Sequence, residues 1–262
     1  MNSVLPETGP ETAAHTADAL VLTGVGRRFG ALAAVSDVTL CIRTGERRAI
    51  LGPNGAGKTT LFNTICGDYP PTSGTIQYFG QDISRLKPHQ RSRLGIGRTY
   101  QSSILFNGLT VLENLYLAVR AARPGRFSLL KAGKGDADVA RAVALAGRVR
   151  VSALLETRID AISHGQRRQV EIGMALAGEP KLLMLDEPAA GLSAAERPEL
   201  IALIRSLPRT LTLVLIEHDM DVALSNADMV TVMKDGRIVA ENTPDRITDD
   251  PMVRAIYLGE GH

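Results

Sequence analysis

The sequence has 262 residues and is 44% hydrophobic, enough to bury the core of one large domain, or of one domain with a subordinate one. Lys and Arg number 30 against 28 for Asp and Glu, and this near balance gives no sign of a nucleic-acid-binding surface. The two cysteines, Cys41 and Cys66, are far apart, which argues against a disulfide scaffold or a zinc site, and no apolar run has the length of a membrane span or the pattern of a signal peptide.

The first 18 residues are polar and show no hydrophobic period, so we predict a disordered lead-in before a domain that spans residues 19–262. Alternating segments at residues 20–22, 35–42 and 47–51 indicate an antiparallel sheet that leads into the next motif. Phe29 lies beside a turn signal. Its ring is either a face on which an adenine stacks or a core residue of the hairpin, and its position leaves both interpretations open.

The next stretch has the P-loop pattern Gly-x-x-x-x-Gly-Lys-Thr, with an apolar strand pattern before it and an amphipathic helix pattern after it. Glycines let backbone N–H groups crowd around an anion, because no Cβ obstructs them. The helix N-terminus adds positive charge, Lys58 a mobile cation and the Thr59 hydroxyl a ligand for Mg²⁺. This context argues against a chance glycine-rich turn. We predict that these residues bind a nucleoside triphosphate: Gly52, Pro53, Asn54, Gly55, Ala56, Gly57, Lys58, Thr59 and Thr60.

A helical region follows. A strand pattern at residues 74–80 and a basic helix at 88–94 lead back toward the sheet and to Gln101, whose amide suits coordination of magnesium or water. Thr110 and Glu113 then form a capping box, and helical patterns continue to about residue 161. We therefore predict a core of residues 19–109 and 162–262 with a helical subdomain inserted at residues 110–161.

The segment Ser163-His164-Gly165-Gln166 opens the next predicted helix and has two compatible interpretations. In the first, Ser163 and Gln166 form a capping box. In the second, the Ser163 hydroxyl, the Gly165 N–H and the helix dipole bind an anion. The sequence leaves open whether that anion belongs to a nucleotide of the same subunit or of another.

Two later apolar strand patterns, at residues 181–185 and 211–216, each lead into polar residues. In parallel sheets, ligands bind beyond the carboxyl ends of the strands. Asp186 suits the acidic ligand of nucleotide-bound Mg²⁺, and Glu187 can polarise a water for attack on the γ-phosphate. A capping or solvated strand end is the alternative for this pair, and the P-loop argues against it. His218 either contacts the γ-phosphate and orients Glu187 or is structural.

Strand and helix patterns alternate to the end of the chain. A capping box of Ser193 and Glu196 begins one helix, and prolines at positions 244 and 251 begin the last two. This alternation predicts an α/β fold: a P-loop NTPase parallel sheet core with an N-terminal antiparallel β subdomain and an inserted α-helical subdomain.

From Leu20 to its end, the chain resembles the ATP-binding subunits of ABC transporters. The P-loop, Gln101, a signature at residues 162–166, Asp186-Glu187 and His218 come in the family's order. Within the family, the chain is most similar to the branched-chain amino acid importer subgroup, which has relatives serving urea, short amides and other small substrates. Two of the segments that carry this similarity are Arg98-Thr99-Tyr100-Gln101 and Ile216-Glu217-His218-Asp219-Met220.

The resemblance implies a head-to-tail dimer with two ATP molecules and Mg²⁺ between the subunits. Ser163, Gly165 and Gln166 would complete the site formed by the partner's P-loop. Phe29 would stack on adenine, His218 would be the switch histidine, and Gln101 would sense magnesium where a membrane subunit docks. ATP binding would close the dimer, and hydrolysis by water that Glu187 activates would reopen it.

The resemblance also implies the partners and the location. The partners would be ABC transmembrane permease subunits, a second ATP-binding subunit and, indirectly, an extracytoplasmic solute-binding protein. The second ATP-binding subunit is either another copy of this chain or a sister ATPase, and the subgroup favours the sister ATPase in a heterodimer. The chain would lie peripherally on the cytoplasmic face of the cell membrane. Two positions depart from the family's signature, with Ile162 where leucine and His164 where glycine is usual, and Ser193 replaces the usual aspartate.

Three alternatives to a transport ATPase fit the sequence less well. A soluble ABC ATPase acting on DNA or ribosomes predicts a coiled coil, a zinc insertion, a basic stripe or a second cassette, and the sequence has none of these. An inactive scaffold conflicts with intact Lys58, Asp186, Glu187 and His218. A small-molecule kinase gives the signature helix no role.

Overall fold

The computed structural model describes residues 17–100, 104–123 and 137–258, and two sheets organise them. The strands are β1 Asp18–Phe29, β2 Leu32–Arg43, β3 Arg47–Leu51, β4 Ser73–Tyr78, β5 Gln81–Asp82, β6 Ile96–Arg98, β7 Leu182–Asp186, β8 Thr212–Ile216, β9 Met229–Lys234 and β10 Arg237–Asn242. The helices are α1 Lys58–Cys66, α2 Pro88–Arg93, α3 Val111–Ala122, α4 Ala137–Arg148, α5 His164–Leu176, α6 Glu196–Ser206, α7 Met220–Asn226, α8 Pro244–Ile247 and α9 Pro251–Leu258.

The smaller sheet is antiparallel, with strand order β2-β1-β4-β5. Strand β1 begins at Asp18, opposite Arg43, so this last residue of the predicted lead-in belongs to the sheet, while residues 1–16 lie outside the described part of the chain. The segment at residues 47–51, which we predicted as part of this antiparallel sheet, is instead strand β3 of the larger sheet. Its parallel pairing with β8 and β9 on its two sides sets this position.

The larger sheet has the order β10-β9-β3-β8-β7-β6, and all its pairs are parallel except the β9–β10 hairpin. Every residue of β3, β7 and β8 is buried, because both faces of the sheet are covered. Alternate residues of β7 enter opposite cores. Leu182 and Met184 pack in the cluster that contains Phe62 of α1, and Leu183 and Leu185 pack in the cluster beneath α3 and α5.

The helices between the sheet strands begin as the sequence predicts at Thr110. Its hydroxyl accepts a hydrogen bond from Glu113 N at 3.1 Å, and Glu113 Oε2 accepts one from Thr110 N at 2.8 Å. Helices α3, α4 and α5 pack together, and a Cβ at Gly173 of α5 would stand 2.9 Å from Leu115 Cδ2 of α3. Residues 124–136 lie outside the described residues, and the boundaries of the helical subdomain at 110–161 stay a prediction.

Helix α6 begins later than predicted. Ser193 N donates to Glu196 Oε2 at 3.1 Å and Glu196 N donates to Ser193 Oγ at 3.4 Å, so the capping-box bonds form, but the two alanines between them make a turn and the helix starts at Glu196. Helices α8 and α9 begin at Pro244 and Pro251, as the prolines predict. Over the ranges that the structure describes, no helix combines the length and apolar character needed to cross a membrane.

Candidate nucleotide-binding and catalytic site

The P-loop connects the end of β3 to the start of α1 and is held against neighbouring backbone. Gly52 and Gly57 have φ angles of 150° and 95°, in the region that favours glycine. A Cβ at Gly52 would lie 2.2 Å from Met233 O, and one at Gly57 would lie 2.4 Å from Ala34 O. These two glycines are therefore required by close backbone contact as well as by conformation, and they leave the N–H groups of the loop at the N-terminus of α1.

Lys58, the first residue of α1, is only 5% exposed and points back into the loop. Its ammonium donates to Gly52 O at 2.7 Å and to Pro53 O at 3.1 Å, which accounts for two of its three N–H donors. Burial lowers the pKa of Lys58, and the nearby carboxylates of Glu187 and Asp186 oppose that shift. The ammonium is thus fixed beside the loop and close to the acidic strand end.

Asp186 ends β7 and is 3% exposed. Its backbone N donates to Thr99 Oγ1 at 3.3 Å, but its Oδ1 is buried and has no hydrogen-bond partner within residues 17–100, 104–123 and 137–258. Burial, with a smaller contribution from Glu187, raises the pKa of Asp186 to about 6. A buried carboxylate oxygen in this state suits a cation, because a divalent ion would compensate the desolvated charge.

Glu187 and His218 follow the neighbouring strands β7 and β8 and face each other. Glu187 Oε2 lies 3.6 Å from His218 Nδ1. The backbone of Glu187 has φ 44°, a conformation that non-glycine residues rarely adopt, and its N–H is fixed by a 2.8 Å hydrogen bond to Ile216 O. Such strain at a strand end is typical of a functional position, since the rest of the fold has to maintain it.

Glu217 is a residue of this region to which we assigned no role from the sequence. It has no solvent exposure, and its Oε1 accepts a 3.1 Å hydrogen bond from Ala189 N in the segment after Glu187. Its Oε2 finds no hydrogen-bond partner in the part of the chain that the structure describes, and burial raises the pKa of Glu217 to about 7. The sequence signal that points to Glu217 is an acidic residue directly after an apolar strand. We assigned the role at this strand end to the adjacent His218 instead.

Phe29 ends β1 and is 40% exposed, so it is not a core residue of the hairpin. Its ring meets the ring of Tyr69 edge-on, with 5.2 Å between the centroids, and the Arg27 guanidinium lies 4.6 Å from the centre of the Phe29 ring. Because this aromatic surface is exposed, an adenine could stack on it, and that role of Phe29 stays a prediction.

Ser163 caps α5, as predicted, and its capping box with Gln166 is complete. Ser163 N donates to Gln166 Oε1 at 2.9 Å, and Gln166 N donates to Ser163 Oγ at 3.2 Å. The anion-binding groups of this turn also have a partner: Ser163 Oγ and Gly165 N each donate to Glu196 Oε1 at 2.8 Å. The capping interpretation is therefore confirmed, and the binding of a nucleotide phosphate at this turn stays a prediction.

The structure brings part of the predicted site together. The P-loop, Asp186, Glu187 and His218 meet at the carboxyl ends of β3, β7 and β8, which are adjacent strands. The signature residues bond to Glu196 of α6 instead of to the P-loop. Gln101 lies outside the described residues, so its role stays a prediction.

Comparison with known proteins identifies the family to which the chain belongs. The chain matches the family model described as ABC transporter over residues 35–190. It is also 37% identical over 249 residues to the high-affinity branched-chain amino acid transport ATP-binding protein BraF of Pseudomonas aeruginosa, and the alignment covers 92% of this chain and 98% of that protein. The chain belongs to the ABC transporter family.

Solved structures agree with this assignment. The ADP conformation of MJ1267, an ATP-binding cassette of an ABC transporter, matches this ABC cassette with a TM-score of 0.82 and 30% identity, covering 93% of this chain and 99% of that one. A dimeric post-hydrolysis state of the ATP-binding cassette MJ0796, bound to ADP and Pi, matches with a TM-score of 0.72 and 25% identity over 86% of this chain and 98% of that one. The predicted family, fold class and ATPase class are confirmed.

Proposed function

We propose that this ABC cassette powers the import of a small polar solute and that the solute is a branched-chain amino acid. The catalytic part is carried by one observation, the convergence of Lys58, Asp186 and Glu187 at adjacent strand ends. The solute is inferred from the similarity to the branched-chain amino acid transport protein, which extends over nearly the whole of both chains. Urea, a short amide or another small solute carried by the same machinery is the alternative.

The donor groups near β7 fit a magnesium ion. The partnerless, buried Oδ1 of Asp186 and the hydroxyl of Thr59 would hold it, with Gln101 as a further ligand expected from the sequence. Oxygen donors of this kind are the ligands that Mg²⁺ prefers. When bound, the ion supplies neutralisation of the phosphate charge that develops during phosphoryl transfer.

The protein residues have distinct proposed roles in hydrolysis. The P-loop amides and Lys58 would bind the β- and γ-phosphates of ATP, and Phe29 would stack on the adenine. Glu187 would orient a water and accept its proton, and His218, 3.6 Å away, would hold the Glu187 carboxylate in position and contact the γ-phosphate. The hydrogen-bonded backbone of Glu187 supports this assignment because it holds the residue at the strand end, next to His218.

The signature turn would act on the nucleotide of a second cassette. Ser163, Gly165 and Gln166 would close over the ATP held by the partner's P-loop, as the dimeric form of MJ0796 supports. We propose a sister ATP-binding subunit as that partner, ABC permease subunits as the membrane partners and an extracytoplasmic solute-binding protein as the source of solute. The cassette would then lie on the cytoplasmic face of the cell membrane.

Uptake of labelled leucine, urea and a short amide in cells that lack this chain tests the proposal. Complementation would use wild type, Glu187→Gln and the matched control Glu199→Gln, which changes an exposed carboxylate on α6. We expect leucine uptake to be lost and then restored by wild type and Glu199→Gln only. If the uptake of urea or of the amide is lost instead, that solute replaces the branched-chain amino acid in the proposal. If none of the three solutes changes, or if Glu187→Gln restores uptake, the proposal is wrong.

A further inference from the structure

The N-terminus of α5 already holds a carboxylate that belongs to the chain itself. Ser163 Oγ and Gly165 N each donate to Glu196 Oε1 at 2.8 Å, although the first two residues are about thirty positions away from Glu196 in the sequence. The second oxygen, Oε2, accepts from Ser193 N at 3.1 Å and from Ser193 Oγ at 2.8 Å. Both oxygens of Glu196 are therefore held by hydrogen-bond donors.

Two of those donors are the groups that the proposed function assigns to a nucleotide phosphate. A carboxylate oxygen and a phosphate oxygen make the same demand on a helix N-terminus, which offers backbone N–H groups and positive dipole charge. They also need the same space: a Cβ at Gly165 would lie 2.9 Å from Glu196 Oε1, so the carboxylate fills the position directly over this glycine. One anion has to leave before another can bind.

We propose that Glu196 is an internal competitor of ATP: its carboxylate occupies the anion site of the signature turn and is displaced when Ser163 and Gly165 bind the γ-phosphate held by a partner cassette. This inference rests on the proposed function, because it takes the signature turn as the site that closes over the partner's nucleotide. Glu196 thereby raises the ATP concentration at which two cassettes close.

The electrostatics favour exchange over joint occupancy. The hydrogen bond from Gly165 N, followed by those from Ser193 and Ser163, lowers the pKa of Glu196 to about 2, so the side chain is an anion at any physiological pH. Two like charges on the same pair of donors repel each other. Displacement is feasible because Glu196 is only half-buried in the first turn of α6, so its carboxylate can turn into water, where it is well solvated.

The test is a steady-state ATPase titration of the full chain, purified together with the subunits that co-purify on it. Glu196→Ala removes the competitor, and Glu196→Gln keeps one acceptor oxygen but removes the charge. Glu199→Gln is the matched control, since Glu199 is an exposed acid in the first turn of the same helix. We expect the KM for ATP to fall by about fivefold in Glu196→Ala and by less in Glu196→Gln, with kcat little changed. Glu199→Gln should behave as wild type.

A double-mutant cycle separates this role from a merely structural one. Ser163→Ala removes the hydroxyl that donates both to Glu196 and, on this proposal, to the phosphate. In that background, removing Glu196 should therefore change KM much less than in wild type. An unchanged or raised KM in Glu196→Ala would show that Glu196 supports the turn, and would overturn the inference. A fivefold fall that persists with Ser163→Ala would overturn it as well.

Failure of the proposed function gives a different pattern. If Ser163→Ala alone leaves both KM and kcat at the wild-type values, the signature turn does not bind nucleotide, and the inference falls together with that assignment. If Ser163→Ala raises KM while Glu196→Ala does nothing, the assignment stands and only the inference is wrong. Thermal unfolding of each variant, compared with Glu199→Gln, identifies any loss that comes from misfolding.

Discussion

Two regions of the cassette surround a carboxylate in opposite ways. The strand-end region contains Lys58, Asp186 and Glu187, and the helix-end region contains Ser163, Gly165 and Glu196. At the strand ends, Asp186 is buried, one of its oxygens has no hydrogen-bond partner within the described residues, and its pKa is raised to about 6. At the N-terminus of α5, Glu196 accepts hydrogen bonds at both oxygens and its pKa is lowered to about 2. On the proposals above, the first region would bind a cation, whereas the second would release an anion.

The local fold explains this difference. The carboxyl end of a strand inside a parallel sheet is covered on both faces, so a side chain there is desolvated and surrounded mostly by apolar neighbours. A helix N-terminus offers free N–H groups, and any acid within reach can use them. On the proposed function, the strand-end region would bind Mg²⁺ and ATP, and the helix-end region would bind the nucleotide of a partner cassette.

Lys58→Ala should have the largest effect, because it removes the fixed positive charge of the strand-end region. We expect kcat/KM for ATP to fall by about 10²–10³-fold, the usual loss when a preorganised charge-stabilising group is removed. The measurement is the ATPase titration described above, with Lys234→Ala as the control, since Lys234 is an exposed lysine at the end of β9. A loss below tenfold would mean that the strand ends do not carry the phosphate-binding charge.

The sequence predicted the strand-end region better than the helix-end region. The P-loop is a local pattern of strand, glycines and helix, and Asp186 directly follows an apolar strand, so local periodicity was enough. Glu196 was recognised only as the acid of a capping box with Ser193. Its bond to Ser163 depends on how α5 and α6 pack, which no local pattern contains. The position of β3 in the larger sheet was missed for the same reason, because its partners β8 and β9 come late in the chain.

Glu217→Ala should have an intermediate effect, on stability more than on chemistry. It leaves the buried Ala189 N–H without its acceptor and opens a cavity, so we expect the free energy of unfolding to fall by about 2 kcal/mol. Glu217→Gln keeps an acceptor for Ala189 N and should cost less than about 1 kcal/mol. Urea denaturation at pH 7 measures both. Equal losses in the two variants would indicate that the carboxylate charge, not the hydrogen bond, holds the segment after Glu187.

Ser193→Ala should have the smallest effect, at the helix-end region. It removes the hydroxyl that donates to Glu196 Oε2 at 2.8 Å but keeps the backbone donor, so Glu196 is held less tightly. One exposed hydrogen bond is worth little, and we expect the KM for ATP to fall by only about twofold. Ser206→Ala, which removes a hydroxyl from the other end of α6, should leave KM unchanged.

The meaning of that twofold change is decided by repeating Ser193→Ala in the Glu196→Ala background. In Glu196→Ala the competitor is gone, so Ser193→Ala should leave the lowered KM unchanged, whereas a direct role of Ser193 in nucleotide binding would raise KM again. The same pair of measurements bears on the family aspartate that Ser193 replaces. If Ser193 acts only through Glu196, this cassette uses the position of the family's aspartate to hold its own anion at the signature turn.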